Sequence, residues 1–130
     1  MADSPDAFVY NATLDRIVDG DTFDCILDLG FDVKLHKQRV RLAGIDTPES
    51  RTRDLAEKKL GLAAKERLIN ILEEQDNKVI LESHGVGKYG RCLGELFYNK
   101  DLPEGGFIRT SINNQLVIEG HGVQYFGGKR

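Results

Sequence analysis

The sequence predicts an α+β domain, mainly β, in which five strands close into a small barrel accompanied by two helices. Three observations carry this. Apolar and polar residues alternate from Phe8 to Leu29 and again from Val33 to Ala43, as strands with one buried face require. Between Asp54 and Gln75 the period changes to that of an amphipathic helix. Strand character then returns at Lys78 to Ser83 and at Cys92 to Tyr98.

In the first strand region Asp21, Phe23, Cys25, Leu27 and Leu29 share one side of the alternation, while Thr22, Asp24 and Asp28 point the other way. Asp21 is thus a carboxylate at the start of an apolar face, and it needs a partner. Val40 and Leu42 alternate against Arg39, Arg41 and Ala43, which extends the strands into a meander. Leu60, Ala63, Ala64, Leu68, Ile71 and Leu72 form the apolar stripe of the helix; Gly61 interrupts it, so the firm helix is expected from about Leu62 to Glu74. A glycine-rich turn joins the next two strands, a loop surrounds Pro103, Gly105 and Gly106, and a short helix from about Ser111 to Glu119 stops at Gly120. The order βββ-α-ββ-α suits a five-stranded barrel of the oligonucleotide- and oligosaccharide-binding (OB) type. One domain over residues 1–130, with a core of about 8–125 and a frayed end at Phe126 to Arg130, is expected.

Composition narrows the function classes. No segment approaches the roughly 20 apolar residues of a membrane span, and the opening MADSPDAF lacks the basic and apolar regions of a secretory signal. The expectation is a cytoplasmic or phage-encoded intracellular monomer. Cys25 and Cys92 fall in strands and read as core hydrophobes, and the dispersed His36, His84 and His121 read as surface or loop residues. The net charge of −3 is unevenly spread: aspartates dominate up to Asp32, and basic residues dominate from Lys34 to Arg53.

Three segments place charged residues beside glycine or proline, where turns let side chains converge: Val18-Asp19-Gly20-Asp21-Thr22, Arg41 to Glu49, and Lys88-Tyr89-Gly90-Arg91. Together they supply the parts for phosphodiester hydrolysis, which needs negative charge neutralised and a water aimed. Asp21 and Asp46, with the Thr47 main-chain oxygen, offer oxygen ligands for Ca2+. Arg41 and Arg91 carry planar forks matched to phosphate oxygens. Glu49 is the candidate to orient or deprotonate the water. Rival motifs fare worse: the G-x-G-x-x-G at 85–90 is followed by strand rather than helix, and an EF-hand counted from Asp19 lacks its glycine and its terminal glutamate.

These segments resemble the signature regions of the staphylococcal nuclease family. Asp19 to Thr22 matches its Asp-Gly-Asp-Thr, Arg41 and Asp46-Thr47-Pro48-Glu49 match its second motif, and Lys88 to Arg91 matches its Lys-Tyr-Gly-Arg. A weaker echo continues through Ile112 to Val117 and to Gly120 and Tyr125. The resemblance implies Ca2+ ligands at Asp21, Asp46 and Thr47, catalytic roles for Arg41, Glu49 and Arg91, substrate contacts at Lys88, Tyr89 and Tyr125, and Asp19 behind the metal ligands. It implies an endonuclease acting on DNA and RNA, single strands preferred, with little sequence preference and 3′-phosphate products. The alternative is a weak or inactive OB module that binds single-stranded nucleic acid or a protein partner.

Overall fold

The structure is a computed structural model that describes residues 8–86 and 92–125. The expectations for Lys88, Tyr89 and Arg91, for the opening residues 1–7 and for the stretch 126–130 fall outside the described residues. Strands β1 (Val9–Asp19), β2 (Thr22–Asp28) and β3 (Lys34–Leu42) form the meander. After them come a short β4 (Ile45–Asp46), helix α1 (Leu55–Glu74), β5 (Lys78–Val86), β6 (Cys92–Asp101), β7 (Phe107–Ser111), helix α2 (Ile112–Ile118) and β8 (Val123–Gln124).

The main sheet runs β3-β2-β1-β5-β6-β7, and a further parallel pairing of β3 with β6 closes its first five strands on themselves. Val40, Arg41 and Leu42 lie opposite Cys92, Leu93 and Gly94 at that closure. A five-stranded OB-type barrel of β1, β2, β3, β5 and β6 results, with β7 extending beyond β6. Closure removes the unpaired sheet edges that a five-stranded meander would otherwise present. The interior holds Phe23, Cys25, Leu42 and Leu96 from the strands, Leu68, Ile71 and Leu72 from α1, and Ile112 and Leu116 from α2, all essentially inaccessible. Asn113 is one of the buried polar residues: its carbonyl accepts from Leu96 N at 3.1 Å and its amide donates to the Ala43 oxygen at 2.8 Å. It ties α2 to both β6 and the end of β3.

Three details depart from expectation. Helix α1 begins at Leu55 rather than near Leu62, because the Asp54 carboxylate caps it by accepting from Ala56 N and Glu57 N at 3.0 and 3.2 Å, and Gly61 is built into the helix. The Pro103 to Gly106 loop is the turn of a hairpin that returns as β7, and β4 pairs with β8 as a small second sheet. Leu29 leaves the buried face as β2 ends, and Cys92 is only partly buried. Cys25 is fully buried, and burial, with Asp24 and Cys92 adding to it, pushes its thiol up to about 12.

The stop of α2 follows the expected rule. Gly120 has φ +83°, its N–H donates to the Val117 oxygen, and His121 N donates to the Leu116 oxygen, a Schellman closure. At the preceding Glu119, Arg67 of α1 donates through Nε and Nη2 at 2.6 and 3.0 Å. That pairing, aided by Gln115 and opposed by burial, holds the Glu119 carboxyl at about 2 instead of its ordinary 4.5. Because the folded-state value is depressed, this contribution to stability is present above about 4.5 and is lost as the pH falls toward about 2. In acid titrations followed by circular dichroism, Glu119→Gln should show a shallower loss of stability across that window than the unchanged chain; identical acid limbs would remove this pair from the account.

Candidate active site

Asp19 and Thr22 face each other across the β1–β2 turn, which leaves Gly20 and Asp21 at its tip. Asp21 is 7% exposed and begins the inward face that continues with Phe23 and Cys25. A buried carboxylate is tolerable only when hydrogen-bonded or paired. Here Oδ2 accepts from Thr47 N at 3.0 Å, Oδ1 accepts from the Thr22 hydroxyl at 3.0 Å, and Arg41 Nη2 lies 3.7 Å from Oδ2.

Arg41 is placed by β3, where it faces Thr22 on one side and Leu93 across the barrel closure on the other. Its Nη2 also donates to Asp46 Oδ1 at 3.3 Å, and its guanidinium lies 5.3 Å from the centre of the Tyr125 ring. Tyr125 is held in turn by its N–H, which donates to the Gly44 oxygen at 3.0 Å. One guanidinium therefore serves two carboxylates against an aromatic face.

The segment after Asp46 is anchored twice. Asp21 takes the Thr47 amide, and Asp19 Oδ1 accepts from Ser50 N at 3.2 Å and from the Ser50 hydroxyl. Pro48 and Glu49 lie between these anchors, with the Glu49 side chain exposed. Helix α1 packs on the same segment through glycine: a Cβ on Gly61 would lie 2.3 Å from the Glu49 carbonyl oxygen. A Cβ on Gly20 would lie 2.8 Å from Ala64 Cβ, so α1 also supports the β1–β2 turn.

The donor set suits a hard cation. Asp21 and Asp46 bring carboxylate oxygens, and the Thr47 hydroxyl oxygen is buried with no hydrogen-bond partner among the described residues. Two carboxylates drawn to one guanidinium, with a buried hydroxyl oxygen on the adjoining segment, are the donor types that Ca2+ takes. Thr47 was expected to contribute its main-chain oxygen; its amide instead donates to Asp21, and its hydroxyl lies buried beside Gly20.

Of the residues expected from sequence, Asp19, Asp21, Arg41, Asp46, Thr47 and Tyr125 gather around this turn, and Glu49 sits on the doubly anchored segment. Ser50 and Gly61 escaped notice as parts of the site, since a serine after Glu49 and a glycine inside a helix carry no chemical signature of their own. A family model described as staphylococcal nuclease homologue matches residues 39–129. The chain belongs to the staphylococcal nuclease family. Relatives within reach of this family include the micrococcal nuclease of Shigella flexneri, 36% identical over 110 residues, covering 85% of this chain and 55% of that protein. Protein ParB of Escherichia coli is 30% identical over 112 residues, covering 85% and 54%. A probable staphylococcal-like nuclease of rice is 35% identical over 68 residues, covering 52% of this chain and 18% of that protein. The chain spans about half the length of the two bacterial relatives.

In this nuclease-family domain, Gly61→Ala should cost about 1–3 kcal/mol, because the added methyl meets backbone that cannot swing aside. Leu62→Ala, at an exposed neighbouring position, should stay within about 0.5 kcal/mol. Urea unfolding of both variants checks this, and equal midpoints would mean the close approach of α1 to Glu49 carries no strain.

Proposed function

We propose that the chain is a Ca2+-dependent endonuclease that hydrolyses phosphodiester bonds of DNA and RNA with little sequence preference. The observation that carries the reading is the convergence of Asp21 and Asp46 on Arg41, with the Thr47 amide held on Asp21 and Glu49 just beyond it. Family membership and the likeness to a protein named micrococcal nuclease support it. Asp21, Asp46 and Thr47 would hold Ca2+, whose chemistry when bound is to neutralise phosphate charge.

The chain's own groups supply the rest. The Arg41 fork binds the nonbridging oxygens of the scissile phosphate and binds them more tightly as negative charge accumulates. Glu49 accepts a proton from the attacking water, whose oxygen bonds to phosphorus while the bond to the 5′ oxygen breaks and that departing oxygen takes up a proton from solvent water. The products are a 3′-phosphate and a 5′-hydroxyl. Arg91 adds electrostatic stabilisation, Lys88 and Tyr89 contact substrate, and the Tyr125 ring backs the Arg41 guanidinium while offering a face to a base. Asp19 acts through Ser50, by fixing the segment that bears Glu49. Single strands are preferred, since an unpaired chain can bend its backbone into a site built around one turn.

Cleavage of single-stranded DNA, duplex DNA and RNA, each with Ca2+, with Mg2+ and with chelator, tests the reading directly. Glu49→Gln should lower turnover by about 10²–10⁴-fold while leaving the unfolding midpoint in place; near-normal turnover would remove Glu49 from proton transfer. Arg41→Lys keeps the charge but loses the fork and should lose at least about 10²-fold, and full activity there would sink the clamp. Binding without cleavage under every condition would replace the nuclease with an OB module that only holds its ligand.

A further inference from the structure

Away from the Asp21 turn, the outer face of β5 and β6 carries a second group of ligand atoms. Leu81 and Leu96 face each other inside the barrel, so their neighbours Glu82 and Glu95, also directly opposite, point outward. Like charges on directly opposed residues of an antiparallel pair destabilise it. His84, two residues on from Glu82 and therefore on the same face, brings Nε2 to 3.3 Å from Glu82 Oε1 and 3.7 Å from Glu95 Oε1. The three ligand atoms all lie within 4.8 Å of one another.

We infer that Glu82, His84 and Glu95 form a metal site for a transition-metal ion of the Zn2+ class, clipping β5 to β6. Ligands at about 2.0–2.2 Å from a tetrahedral Zn2+ stand roughly 3.3–3.6 Å apart, so the exposed His84 and the partly exposed Glu82 need only small side-chain adjustments from 3.3, 3.7 and at most 4.8 Å to reach that spacing. Glu95 is already oriented. The Ser111 hydroxyl donates to its Oε2 at 2.5 Å and itself accepts from Asn114 N at 3.2 Å, so the cap of α2 fixes the carboxylate and leaves Oε1 toward His84. An imidazole in the set selects Zn2+, Cu2+, Ni2+ or Co2+ over Ca2+ and Mg2+, whereas the Asp21 site offers oxygen alone. The two sites therefore sort different cations.

The clip has a structural consequence. The β5–β6 register shifts between Ser83 and Val86, just beyond Glu82, so the ladder is interrupted where His84 sits. A metal ion bound to both strands restores a cross-strand tie at that break, on the strands that lead into and out of residues 87–91. This inference does not rest on the nuclease reading.

The test is thermal unfolding and isothermal titration of the intact chain with Zn2+, and separately with Ca2+, for the unchanged chain, His84→Gln, Glu95→Gln and Asp21→Asn. Zn2+ should bind once and raise Tm by about 5–10 °C at ~100-fold above its Kd. His84→Gln, at an exposed position, should fold normally and lose the shift, as should Glu95→Gln; Asp21→Asn should keep it. No Zn2+ binding at millimolar concentration would overturn the proposal. So would Zn2+ binding that survives in His84→Gln, or binding that is lost in an Asp21→Asn chain whose circular dichroism and unfolding midpoint match those of the unchanged chain.

Discussion

A carboxylate buried at the head of an apolar strand face is the constraint from which the rest of this molecule is arranged. Asp21 cannot sit beside Phe23 and Cys25 unless its oxygens are satisfied. The Thr47 amide and the Thr22 hydroxyl do so directly, and Arg41 supplies the opposing charge. Each partner comes from a different element, so satisfying one side chain draws together the β1–β2 turn, the end of β3 and the segment beyond β4. Asp19 repeats the device one turn position earlier by taking Ser50. The result is a backbone stretch held at both ends, with Glu49, one of the two residues between the anchors, directed to solvent.

Arg41 shows how stability and reactivity share one group. Its guanidinium lies within 4 Å of both Asp21 and Asp46 and against the Tyr125 ring, at 3.7, 3.3 and 5.3 Å. In that posture it balances two carboxylates whose burial would otherwise be costly. Under the proposed function the same fork must face phosphate, which it can do only when the carboxylates' charge is met in another way. Cation binding and phosphate binding are then coupled through a single side chain, and each should strengthen the other.

Much of this was legible from sequence because it followed from periodicity and local chemistry. The Asp21-Phe23-Cys25 face obeys a period of two, and the helix stripe of Leu68, Ile71 and Leu72 obeys a period of 3.6. The closing glycine at Gly120 needed only a local rule. What escaped depended on contacts between distant segments. Gly61 reads as a helix break by propensity, yet it is the position where α1 touches the Glu49 carbonyl, and tertiary contact overrides its intrinsic cost. Strands of two residues such as β4 and β8 have no period to detect. His84 and Glu95 become neighbours only through the β5–β6 register, which no single segment contains.

Charge illustrates the same lesson in the other direction, since the net value of −3 argues against a polyanion ligand while the structure argues for local attraction. Charges on the surface are screened within about 8–10 Å at physiological salt. Strand β2 advances roughly 3.3 Å per residue, so Asp28 at its far end is about 20 Å from Thr22 at the turn, some two screening lengths away. Asp24 lies nearer but is engaged by Arg39 through contacts of 2.8 and 3.1 Å, which hold its carboxyl below its ordinary value. Just beyond Glu49, by contrast, Arg51, Arg53, Lys58 and Lys59 are all exposed, and they flank the positive end of α1. Under the proposed function, a phosphodiester approaching Glu49 would meet this basic lip rather than the average charge of the chain. Whole-chain acidity sets how the molecule behaves in bulk, and the few residues within a screening length set what it attracts.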